Sequence, residues 1–140
     1  MKKVILISAM FTIIMLACSK PEPKLELFSP EAFAYQLDKG WELNATVGVK
    51  GFQQNEKDDK FFASLSYTVD LITPTDTVKN VDRGTIDEKN DEEFLDLMID
   101  SQIEMDSSFA IGDYQLIFFV EDNNSKSSST ASAKFKLTLD

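Results

Sequence analysis

Gly112-Asp113-Tyr114-Gln115-Leu116-Ile117-Phe118-Phe119-Val120-Glu121-Asp122 is the stretch on which the reading of this chain turns. A glycine opens it and Asp-Asn-Asn-Ser follows from its last residue, so turn residues bound an alternating apolar run. Successive strand side chains point to opposite faces. If Tyr114 points inward, so do Leu116, Phe118 and Val120, and Ile117 and Phe119 face out. The stretch reads as a strand with a buried side and an apolar residue pair left over on the other.

Working outward, the same period recurs. Trp41, Leu43, Ala45, Val47 and Val49 share one face of a strand over Trp41–Lys50, with Gly48 and Gly51 read as a bulge or bend. Phe61, Ala63, Leu65, Tyr67, Val69 and Leu71 form another. Thr73-Pro74-Thr75-Asp76 is a turn, and Thr77–Asp82 returns from it as a hairpin strand. Ala131, Ala133, Phe135, Leu137 and Leu139 make the last. Gln53–Lys60, Arg83–Glu93 and Asp122–Ser129 read as polar loops. Leu25–Leu37 reads as a strand broken at Ser29-Pro30-Glu31, with Leu25, Leu27, Phe33, Tyr35 and Leu37 alternating. A helical turn starting near Pro30 competes with it. Residues 94–105 fit a period of two through Leu95, Leu97, Ile99, Ile103 and Met105, and a helical period through Phe94, Leu95, Met98 and Ile99. The strand is preferred, because the elements around it are strands.

The amino end has a different character. Met1-Lys2-Lys3 is basic, and Val4–Leu16 is an apolar run of 13 residues, too short to span a bilayer. It ends in Met15-Leu16-Ala17-Cys18. This resembles the processing site of bacterial lipoproteins, in which an apolar residue and then a small one precede the cysteine; an ordinary secretory signal with an incidental cysteine is the other reading. The resemblance implies that residues 1–17 are a signal peptide and that Cys18 becomes the acylated first residue, carrying palmitate-type chains. Two or more chains make a stable membrane anchor. Ser19 stands where an Asp acts as an inner-membrane retention signal in many diderm bacteria, so the outer membrane is expected. Residues 18–24 then form a short Pro-containing tether reaching about 20 Å, and residues 25–140 form one domain.

Composition narrows the function. The 140 residues are 43% hydrophobic and 27% charged, which suits a single globular domain. Loss of residues 1–17 removes two lysines and no acids, moving the formal charge from −10 to −12. Such a domain does not suit phosphate backbones, and anionic headgroups repel it, leaving attachment to the lipid. With no histidine and a single cysteine, Cys18, the chain lacks the residues for Ser-His-Asp or Cys-His catalysis and for the usual zinc sites. No glycine-rich phosphate loop is present. No enzyme activity, cofactor or metal is expected. Glu121-Asp122-Asn123-Asn124 and the acids of 87–93 are weighed as calcium ligands, but Lys126 falls where a ligand belongs. Solvated acidic loops are the favoured reading.

About seven strands at short spacing, without an internal repeat, predict an antiparallel β-sandwich. Gly112-Asp113-Tyr114 with the strands at 113–121 and 131–139 is similar to the tyrosine corner of immunoglobulin-like domains. The whole chain thus resembles a small cell-envelope lipoprotein carrying one such domain. It departs from antibody domains at Leu116, where a bridging cysteine would stand, and at Trp41, which lies on the second strand. The resemblance implies a non-enzymatic binding or structural module; glycan binding, or an inhibitor or chaperone-like use of a sheet edge, are the alternatives. In that fold the strands at 61–71 and 113–121 are neighbours, so Phe62, Ile117 and Phe119 are expected to form an exposed apolar patch for an envelope protein or a glycan. Coverage by Phe28 or Phe33 is the competing expectation. The fold also implies that the amino end emerges beside Gln53–Lys60 and Asn123–Ser129, with Asp38-Lys39-Gly40, Thr73–Asp76 and Asp106–Ile111 at the far end.

Overall fold

The opening stretch is a strand, β7 (Gly112–Asp122), and its even positions are buried as the alternation requires: Tyr114, Leu116, Phe118 and Val120 are each at most 3% exposed. The computed structural model describes residues 24–140. The expected signal peptide, Cys18 and most of the expected tether lie outside the described residues. Seven further strands complete the described chain: β1 (Glu26–Gln36), β2 (Trp41–Lys50), β3 (Asn55–Lys57), β4 (Lys60–Ile72), β5 (Thr77–Asn90), β6 (Leu97–Met105) and β8 (Ser128–Leu137). The described chain is all-β. One antiparallel sheet has the order β1-β2-β6; the other runs β4-β7-β8, with β5 on the outer side of β4 and β3 paired to the first residues of β4.

The two sheets enclose one core, a β-sandwich. Leu43, Val47, Val49 and Ile99 from the first sheet and Leu65, Val69, Leu71, Leu116, Phe118 and Leu137 from the second are almost completely buried. Trp41 joins the sheets: its ring is buried and Nε1 donates to the Thr138 carbonyl at 3.1 Å. The turn at Gly112 has φ +142°, a backbone geometry that a side chain strains. Two residues on, the Tyr114 ring stacks on Phe135 at 5.4 Å, and its hydroxyl donates to the Ala110 carbonyl at 2.5 Å. Burial raises the Tyr114 pKa, which keeps that donor protonated.

Residues 97–105 are a strand, which settles the competition with a helix; Leu95, however, precedes β6 and is 91% exposed. Five further expectations are corrected. Arg83–Glu93 is not a loop: β5 continues to Asn90, paired with β4 as far as Phe61. Its core-side residues opposite Val69, Tyr67, Leu65 and Ala63 are Asp82, Gly84, Ile86 and Glu88. Only one of them is a large apolar residue, so backbone pairing holds the strand without an apolar alternation to announce it. Gln53–Lys60 likewise contains β3 and a tight turn at Asp58-Asp59, both at positive φ.

The third correction concerns β1. Its pairing with β2 shifts by one residue between Phe28 and Glu31, where Ser29 takes φ 48°. A one-residue shift exchanges the faces of everything beyond it. Leu25 and Leu27 therefore point inward, but Ala32 and Ala34 take over past the bulge, and Phe33, Tyr35 and Leu37 turn to solvent. Lastly, Gly48 marks no bulge in β2. A side chain there would run into the Phe28 ring, which lies across it. Leu139 also falls past the end of β8 and is exposed.

Candidate functional site

The register of the larger sheet decides where the expected patch residues go. Phe119 pairs with Thr68 on β4 and Thr130 on β8; Ile117 pairs with Asp70 and Ser132. Both project from the outer face, Phe119 38% exposed and Ile117 half-buried. Phe62 is on the same face and 37% exposed, but its partners are Asn55 and Lys89. It stands six positions along β4 from Thr68, about 20 Å at the rise of a strand. The fold therefore brings Ile117 and Phe119 together and leaves Phe62 apart. Phe28 and Phe33 cover none of them, because β1 belongs to the other sheet. Around Phe119, Ser66, Thr68, Glu121, Ser128 and Thr130 line a shallow hollow of about 330 Å³.

The outer face of the β1-β2-β6 sheet carries more exposed aromatic surface. Phe33, Asn44 and Gln102 stand in one cross-strand row; Tyr35, Glu42 and Glu104 stand in the next; Glu31, Thr46 and Asp100 form the row on the other side. Phe33 and Tyr35 are each 57% exposed, and Met98 on the same face is 49% exposed. The alternation across Leu25–Leu37 misassigned this face, since the bulge reverses it. Pro30, breaking an otherwise regular strand pattern, was the available signal.

The buried acids have internal partners. Asp122 is fully buried; its Oδ2 accepts from the Gln53 amide and from Ser125 Oγ, each at 2.7 Å, and its Oδ1 accepts from the Asn124 amide at 3.0 Å. Asn124 in turn donates to the Gln53 carbonyl at 3.1 Å. These bonds fasten the β2–β3 connection to the β7–β8 turn. They engage the acidic cluster weighed for calcium in protein hydrogen bonds. Asp70 points away from the core and accepts from the Asn80 amide at 2.9 Å and Lys79 Nζ at 2.8 Å. Burial pushes its pKa up, but those two donors and the lysine charge outweigh burial and hold the carboxyl below its ordinary value. At the open side between β5 and β6, Ser101 donates to Asp82 at 2.5 Å. The Tyr67 hydroxyl beside them has its pKa raised, first by burial and then by Asp82 and Asp100. Among the described residues no group of acids is placed to hold a metal ion.

The ends of the sandwich are also defined. Lys24 and Leu25 lie against Gly51, so the described chain starts at the end that holds Gln53, Asp122 and Asn124. Gly40 lies against Met105 and Asp106, and Gly112 against Pro74, which groups those turns at the opposite end. No family model matches the chain, and no curated protein matches it.

Proposed function

We propose that the chain is a lipid-anchored, non-enzymatic binding module of the bacterial cell envelope, with an immunoglobulin-like sandwich as its one domain. The observation that carries the binding role is the set of large apolar side chains left exposed outside a well-filled core, with Phe33 and Tyr35 side by side. Phe33, Tyr35 and Met98 are exposed on one outer face and Phe119 on the other. Neighbouring exposed aromatics rimmed by polar residues, as at Phe33 and Tyr35, are the kind of surface that marks an interaction site. Two features support the immunoglobulin-like reading: β1, β2 and β6 face a sheet of β5, β4, β7 and β8, and Tyr114 closes a corner onto Ala110. The anchor rests on Leu16-Ala17-Cys18 behind the apolar run. On this reading the outer membrane holds the acyl chains.

The protein partner is preferred to a glycan because the single tryptophan, the residue best suited to a sugar platform, is buried in the core. The hydroxyl-rimmed hollow at Phe119 is the feature favouring a glycan. Strand addition is disfavoured, because the long edge strand β5 carries Lys79, Arg83 and Lys89. Crosslinking in native membranes tests the reading. The acylated protein is expected to give a discrete adduct that Cys18→Ala, displaced from the membrane, loses. An acylated protein that yields no adduct contradicts the binding role.

A further inference from the structure

We infer that the outer face of the β1-β2-β6 sheet is a docking surface for a lysine- or arginine-rich protein segment, held between the Phe33 and Tyr35 rings and the carboxylates beside them. The inference deepens the binding reading above and rests on it. Phe33 and Tyr35 lie two residues apart on one strand, on the same side, and no described residue covers them. The rows through and beside them hold Glu31, Asp100, Glu42 and Glu104 and no cation. Glu42 and Glu104 are direct cross-strand partners. Like charges so placed destabilise a sheet unless a counter-charge sits between them. An aromatic face flanked by carboxylates attracts an alkyl-ammonium or guanidinium group twice over, through the ring and through the charge.

The same face already holds one lysine in this way. Lys50, at the far end of β2, places Nζ 5.5 Å from the centre of the Phe28 ring and 3.7 Å from Glu26. It is the only cation on the strands of that face among the described residues. Phe33 and Tyr35 likewise stand beside carboxylates, Glu42 and Glu104, but among the described residues no cation shares their rows; Glu42 Oε1 accepts only from the neighbouring Asn44 side-chain amide at 3.0 Å. The chain's charge of −10 steers a basic partner towards the whole domain. The aromatic rows then select where it settles.

The test uses the full chain in zwitterionic detergent, a fluorescent oligolysine peptide as the probe and fluorescence anisotropy as the readout. Wild type is expected to bind. Glu42→Gln with Glu104→Gln is expected to weaken binding about fivefold, and Phe33→Ser with Tyr35→Ser about tenfold. Asp87→Asn with Glu88→Gln, an equal charge change on β5, is expected to leave it within about twofold. No binding by wild type overturns the inference, as does equal weakening by the two charge-matched pairs, which marks diffuse attraction only. A chitin oligomer that binds this face in place of the peptide overturns it in favour of a glycan. Should the Phe33–Tyr35 variant fail to fold by circular dichroism, the comparison of the two charge pairs decides alone. Peptide binding lost only in Ile117→Ser with Phe119→Ser removes this face but leaves an envelope binding module standing.

Discussion

Asp70 and Tyr114 show how single side chains close this fold. Asp70 is a buried carboxylate whose pKa is held down by Lys79 and the Asn80 amide. A carboxyl lowered on folding stabilises the native state fully above its unfolded pKa and loses that contribution as pH falls through the folded value. Asp70→Asn is therefore expected to cost about 2 kcal/mol at neutral pH. It should also flatten the acid limb of stability, most of all below the ordinary carboxylate value of 3.8. Urea unfolding at a series of pH values reads both effects; an unchanged acid limb would count against the role of this pair. Tyr114→Phe removes the bond to the Ala110 carbonyl and should cost about 1 kcal/mol in the same assay without loss of the strand.

At the scale of elements, bulges and edges separate what the sequence disclosed from what it hid. The two-residue period identified β2, β4, β7 and β8 because each presents an apolar side to the core. It missed half of β5, where Asp82, Gly84 and Glu88 sit on the core side of an edge strand. It inverted the second half of β1, because a bulge at Ser29 leaves the spacing intact while exchanging the faces. Register, too, is a property of pairing and not of spacing, which is why Phe62 looked closer to Phe119 than it is. The aromatic face at Phe33 and Tyr35 was hidden by that inversion alone. Gly48 makes the bulge testable: Gly48→Ala drives a methyl into the Phe28 ring. It is expected to destabilise by about 1–3 kcal/mol and to speed amide exchange in β1 before the other strands. Uniform acceleration across all strands would contradict the local account.

For the whole molecule, the placement of chain ends and loops gives the proposed anchor a direction. Lys24 enters beside Gly51, Gln53 and Asn124, and the Gly40, Pro74 and Gly112 turns lie opposite. With the acyl chains on Cys18, the first end faces the bilayer and the second faces away. Limited trypsin digestion of the membrane-held protein is expected to cut at Lys39 before Lys57 and Lys60, and the reverse order would contradict that orientation. The proposed anchor at Cys18 is the feature on which compartment, orientation and the partners within reach all depend. It is tested most directly by the mass of the mature chain extracted from its native membrane. The expected mass is that of a chain starting at Cys18 and carrying at least two fatty acyl chains. A chain starting elsewhere, or one with Cys18 unmodified, would contradict it.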